Sequence, residues 1–103
     1  MEKADKMLEH ENMLLEKIAI MIDIMMIILN CSYSDAYGLI VNSKTYNYLK
    51  QMDYSTIHDS PQANLSSIGK ELRDAGVDTG YSITDNNIKL AMKKMRNDNL
   101  KQN

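Results

Sequence analysis

Few residues in this chain are of types that do chemistry, and their spacing limits what chemistry they can do. His58, Asp59 and Ser60 carry the three groups of a hydrolytic triad. Consecutive residues, however, project their side chains in different directions, so nucleophile, base and orienting acid cannot converge from one tripeptide. Ser60 precedes Pro61 and reads instead as a helix cap. Cys31 could pair with His10 or His58 as a thiolate, yet one cysteine after an isoleucine-rich helix reads as a small buried residue. The stretch His10, Glu11, Asn12, Met13, Leu14 lacks the second histidine of a zinc-protease helix. The single cysteine forms no intramolecular disulfide and no Cys-x-x-Cys framework, and Gly38, Gly69, Gly76 and Gly80 are too dispersed to cradle a phosphate. The expectation is a non-enzymatic protein with no catalytic residues, no metal and no cofactor.

What remains is suited to recognition. Tyr33, Tyr37, Tyr46, Tyr48, Tyr54 and Tyr81 each offer a rigid apolar ring with a polar tip, a combination enriched at protein interfaces. Lys44, Tyr46, Tyr48, Lys50, Tyr54 and His58 fall together in the chain and form the expected partner-binding patch. A nucleic-acid alternative lies in residues 66–97, which read as helix, turn and helix, with Lys89, Lys93, Lys94 and Arg96 able to neutralise phosphates. Its turn, residues 77–82, exceeds the three or four residues of a helix-turn-helix, and Asp85 puts an acid where base contacts would begin. A solvated basic face opposite an acidic first helix is the stronger reading. Residues 1–30 carry three Lys against six Asp or Glu, and residues 85–103 carry four Lys and one Arg against two Asp. The whole chain, at net −2, advertises neither nucleic acid nor membrane as its partner.

The elements that must position these residues are helices. With nine Met, six Tyr and no Phe or Trp, the core of this 103-residue chain has to be built from Met, Ile and Leu. In the first 30 residues Ala4, Met7, Leu14, Ile18, Met21, Met25 and Ile28 recur at steps of three and four, the seam of a bundle helix. Leu8, Leu15, Ile22 and Leu29 widen the stripe, and from Ile18 onward Ile20, Ile24 and Ile27 predict a helix enclosed on nearly all sides. As a helix, residues 18–29 measure about 18 Å against roughly 30 Å of hydrocarbon, and Asp23 interrupts them, so they do not span a bilayer. The acidic start also lacks the positive region of a signal peptide, and the lone cysteine fits a reducing, cytoplasmic setting. A first helix about 40 Å long outruns a globule of this length, so one end must project or meet a second copy. The expectation is a homodimer joined through Leu14, Ile18, Met21, Met25 and Ile28, the alternative being an intramolecular bundle in which later helices cover this seam.

Beyond Asn30, Ser34 is the expected cap of a helix over residues 35–41, and Asn42 or Ser43 that of a short helix bearing Tyr46 and Leu49. Residues 52–59 read as a polar loop. Ser60, Pro61 and a terminal Gly76 bracket a helix with Leu65, Ile68 and Leu72 on its inner side. After a loop over residues 77–83, Thr84 and Asp85 start a last helix whose Ile88, Ala91, Met92 and Met95 face inward, with fraying from residue 96. The predicted fold is all-α: a long N-terminal helix plus three or four shorter helices in a small bundle. Residues 1–98 make one domain and residues 99–103 a disordered tail.

Residues 34–72 resemble a family of short, uncharacterised bacterial all-helical proteins. The likeness rests on Ser43, Lys44, Thr45 and Tyr46 as a Ser-Lys-Thr-Tyr box, then Leu49, then Ser60 and Pro61, then Glu71 and Leu72 closing an amphipathic helix. Residues 59–64 lack the aromatic and aliphatic residues of the pattern, and residues 77–103 extend beyond it. The resemblance implies an all-helical fold, a bacterial source and, for some relatives, a setting beside toxin-like or mobile-element proteins. It transfers no catalytic residues. Together with the tyrosines it points to a small protein that binds and regulates or inhibits a protein partner, antitoxin-like or phage-related.

Overall fold

Each helix after the first starts at a side-chain cap that the sequence supplies. The computed structural model describes the backbone of residues 2–51 and 58–101, and the side chains of residues 11–51 and 58–98. Within these the elements are α1 (Glu2–Leu29), α2 (Tyr33–Val41), α3 (Lys44–Lys50), α4 (Pro61–Asp74), a 3-10 turn (Asp78–Tyr81) and α5 (Asp85–Lys101), with no strand among the described residues. Hydroxyl oxygens of Ser32, Ser43, Ser60 and Thr84 accept from the amides of Asp35, Tyr46, Ala63 and Asn87 at 3.0–3.2 Å, each answering one orphan donor of a first turn. The fold is therefore the all-α arrangement expected.

Termination is equally local. Asn30, at φ 50°, turns the chain out of α1, and asparagine tolerates that left-handed conformation better than most residues. Gly76, at φ 76°, closes α4: its amide donates to the Arg73 carbonyl, and the Val77 amide donates to that of Leu72 at 2.8 Å, the paired bonds of a Schellman end.

α1 is the spine. It packs against α2, α4 and α5, while α4 also carries the 3-10 turn and α3. Met21, Ile22, Ile24 and Met25 of α1 are fully buried, joined by Ala36 and Ile40 of α2, Leu49 of α3, Leu65 and Ile68 of α4, Ile83, and Ile88 and Ala91 of α5. Each large side chain so enclosed contributes roughly 1.5–3 kcal/mol. The molecule measures 42 × 42 × 22 Å, and α1 alone, at 28 residues, accounts for one long dimension.

Several expectations need correction. Ile18, Met21 and Met25, assigned to a dimer seam, are buried by the chain's own later helices and present nothing to a second copy. The later helices cover only one side of α1, so its second half is not enclosed all round: Ala19, Ile20 and Asp23 are exposed. Among the described residues ahead of Lys17, Met13 and Leu15 are in solvent while Leu14 is half-buried against the core. The helix after Asn30 begins at Tyr33 under Ser32, not under Ser34. The segment after α4 holds a 3-10 turn, and α5 stays helical through Lys101, past the point where fraying was expected. Residues 52–57 of the expected loop and residues 102–103 of the expected tail lie outside the described residues.

Two close approaches fix α4. Arg73 Nη1 donates to the carbonyls of Gly80 and Ile83 at 2.8 and 3.0 Å, tying the 3-10 segment back to the helix. Gly69 and Gly80 make the approach possible: a Cβ at Gly69 would overlap the Ile83 carbonyl oxygen, and one at Gly80 would lie 2.6 Å from the Arg73 amide. On helix propensity alone Gly69→Ala would gain about 1 kcal/mol. Because the obstruction is backbone, the clash wins, and Gly69→Ala is expected to lower unfolding free energy by about 1–3 kcal/mol in urea titration.

Lys17 is the buried charge of α1. Its ammonium donates to the Asp59 carbonyl, tying α1 to the turn before α4. Burial pushes its pKa below the ordinary lysine value, against the opposing pull of the Asp59 carboxylate. A depressed folded pKa gives stability that is fullest above the ordinary lysine value and is lost as pH falls through the lowered one. Measured by denaturant unfolding, the wild type should therefore gain stability relative to Lys17→Met as pH rises from neutral toward about 10.

Candidate functional site

The Ser-Lys-Thr-Tyr box turns out to be a fastening. Ser43 Oγ accepts from the Tyr46 amide at 3.0 Å and donates to the Ile40 carbonyl at 2.6 Å, joining α2 to α3. No acidic residue lies in the first turn of α3, and Glu71 of α4 supplies one. Its carboxylate accepts from the Lys44 amide at 2.7 Å, the Thr45 amide at 3.1 Å and Thr45 Oγ1 at 2.6 Å. A carboxylate at a helix N-terminus meets both the orphan amides and the positive end of the macrodipole. Sequence reasoning had Lys44 as a partner contact and missed this role. The signal available for it was split along the chain, between a box that opens a short helix and a distant Glu-Leu.

Between α2 and α4 this fastening leaves an open cleft of about 1250 Å³. Its floor is apolar: Ile28 and Leu29 from the end of α1, Leu39 from α2, and Ile68 and Leu72 from α4. Its walls are acidic, with Asp35 on α2 across from Asp74 and Asp78, Glu71 between them and Lys44 as the one basic residue of the lining among the described residues. Asp74 shares an exposed pair with Lys70 at 3.3 Å, whereas Asp35 and Asp78 form no ion pair among the described residues. Thr79 Oγ1, in the same wall, is buried without a hydrogen-bond partner among the described residues. Half-buried Cys31 also lines the cleft.

The second feature is aromatic. Tyr33 and Tyr37, four apart on α2, stack with centroids 6.3 Å apart and planes within 7°, while remaining 59% and 46% exposed. They lie on α2 away from the face that lines the cleft.

Among the described residues, the expected partner patch is divided between two sides of α3 and an exposed His58. Tyr46 is half-buried with Lys50 Nζ 5.5 Å above its ring, while Lys44 and exposed Tyr48 lie on the other side of α3, as a two-residue offset on a helix requires. His58 is exposed, and Tyr54 lies outside the described residues. Of the expected dimer seam only Leu14 and Ile28 retain partial exposure. On α5, Lys89, Lys93, Lys94 and Arg96 are all exposed, with Lys89, Lys93 and Arg96 sharing a face. Residues 75–84 separate α4 from α5, a connection longer than a helix-turn-helix uses. Among the described residues no group of His, Cys, Asp or Glu could hold a metal ion, and no helix is long and apolar enough to cross a membrane.

Comparison with known proteins finds no family model, no curated protein and no solved structure that matches this chain.

The clasp is measurable. Glu71→Ala should cost about 2–3 kcal/mol, since it strips charge-assisted acceptors from two amides and a hydroxyl. Thr45→Val should cost about 1 kcal/mol, and the double variant less than the sum by roughly 1 kcal/mol in a denaturation cycle.

Proposed function

We propose that this chain is a non-enzymatic protein that binds a protein partner and regulates or inhibits it by covering part of its surface. The observation that carries this reading is the exposed, stacked Tyr33–Tyr37 pair. Two rings held against each other at helical spacing present a rigid apolar face whose side-chain entropy is already spent, which is what a central anchor at an interface needs. Exposed Tyr48, and Met13, Leu15 and Ile20 along the uncovered side of α1, add apolar surface beyond the core. Among the described residues of the expected seam, Ile18, Met21 and Met25 are buried, so a second copy would meet α1 on this exposed side instead. The setting implied by the resemblance over residues 34–72 favours an antitoxin-like or phage-related inhibitor in a bacterial cytoplasm.

A DNA-binding regulator is the second reading, favoured by the exposed basic row on α5. The long connection before α5 and Asp85 in its first turn weigh against base readout.

Co-purification of tagged protein from the native host tests the choice. Wild type should retain a protein partner in near-equal amount, and Tyr33→Ser with Tyr37→Ser should weaken that retention about tenfold or more while shifting unfolding free energy by less than about 0.5 kcal/mol. Equal retention by the double variant refutes the tyrosine interface. A low-salt mobility shift abolished by Lys93→Glu with Lys94→Glu, in protein that retains no partner, would put the second reading first.

A further inference from the structure

The cleft between α2 and α4 has an occupant that its chemistry specifies. Acidic walls repel phosphates and other anions, so nucleic acid does not enter. Its volume and open mouth exceed what an enclosed small-molecule site offers. Its longest walls are α2 and α4, whose backbone groups pair within each helix, so an extended peptide laid on the apolar floor would find no strand edge to pair its own amides and carbonyls with. A helix brings its backbone hydrogen bonds with it and needs only to match side chains, apolar below and charged at the edges.

We propose that this cleft holds a cationic amphipathic helix of a protein partner, its apolar face on Leu39 and Leu72 and its Lys or Arg side chains against Asp35 and Asp78 on opposite walls. The two carboxylates have no cation of their own among the described residues, and with Asp74 they line the same cleft as the apolar floor, from α2 on one side and from the end of α4 and the 3-10 turn on the other. Opposed like charges across a groove disfavour one another until a cation lies between them. The proposal rests on the partner-binding reading and names the chemistry of what is bound. It uses a face of α2 distinct from the stacked tyrosines, so the two surfaces can succeed or fail separately.

The test uses the full chain and a labelled synthetic helix of about 14 residues, with Leu at i, i+3, i+4 and i+7 and flanking Lys, beside an otherwise identical peptide with Glu for Lys. In fluorescence anisotropy the Lys peptide should bind about tenfold or more tighter than the Glu peptide. Asp35→Asn with Asp78→Asn should remove most of that preference. Asp74→Lys, a fold-safe change because a cation suits the last turn of α4, should weaken the Lys peptide in the same direction. Bound peptide should also slow alkylation of Cys31, which locates it in the cleft.

Equal binding of both peptides, binding unaffected by the Asp variants, or binding without Cys31 protection would each overturn the proposal. A wild type that sediments as a dimer and becomes monomeric in the Asp35→Asn, Asp78→Asn variant would overturn it in favour of a second copy's basic α5. Should the peptide fail while a host partner is still lost with the tyrosine variant, this inference falls and the partner-binding reading stands. Should the peptide bind as described while the host yields no partner, the cleft chemistry holds and the broader reading falls.

Discussion

A helix of 28 residues that is apolar on more than one side imposes its needs on the remainder of so short a chain. From Lys17 onward α1 buries Met21, Ile22, Ile24 and Met25 completely, and every later helix contributes at least one fully or nearly fully buried residue to the same core. What the later helices cannot do is surround α1. They form one layer against it, leaving Ile20 and Asp23 on the open side and Met13 and Leu15 exposed ahead of them. Asp23 marks where coverage must stop, since a carboxylate under a second layer would lose its hydration without a partner.

Because the covering layer is made of short helices, it needs fasteners as well as hydrophobic contact. A helix of seven residues such as α3 is marginal alone, as nucleation consumes most of what its few hydrogen bonds return. Ser43 caps it from its own chain and Glu71 caps it from α4, so the element is held at its N-terminus by a neighbour in sequence and by a carboxylate 27 residues beyond Lys44. On the far side of α4, Arg73 performs the matching task for the 3-10 segment. Neighbouring residues of one helix thus pin the segments to either side of it. The cleft is the space left where α2, anchored through α3, stands off from α4.

Much of this was legible in the sequence. Ser43, Ser60, Pro61, Gly76 and Thr84 punctuate helices where their chemistry predicts, because caps and stops are local decisions. Ser34 is the expected cap of α2 and Ser32 the actual one, although Ser32 with Asp35 has the Ser-x-x-Asp spacing of a capped start; two serines two residues apart both qualify, and the turn at Asn30 decides between them. In its described part, from Ile18 to Met25, the apolar seam of α1 lies where its spacing predicts, but it is covered by the chain's own later helices. Periodicity identifies which face must leave water and is silent on whose side chains will cover it. The Glu71 clasp and the cleft were beyond reach for a related reason, since both depend on the spacing between helices that no local pattern encodes.

The uneven charge along the chain takes on a different meaning in three dimensions. Acid at the start and base at the end of the sequence invite a picture of mutual neutralisation. In the fold, the described basic side chains of α5 face solvent, while a separate concentration of carboxylates forms around the cleft from α2, α4 and the 3-10 turn. A chain of net charge −2 therefore offers two surfaces of opposite sign together with an uncharged aromatic pair on a third. Screening separates these surfaces by mechanism. With a Debye length of about 8 Å at physiological ionic strength, contacts made by exposed carboxylates or ammonium groups weaken as salt rises, whereas burial of stacked rings does not. A partner held at both the cleft and the tyrosines would lose only the electrostatic share of its binding energy in salt, so charge would govern how fast and in what orientation it arrives, and the aromatic contact how long it stays.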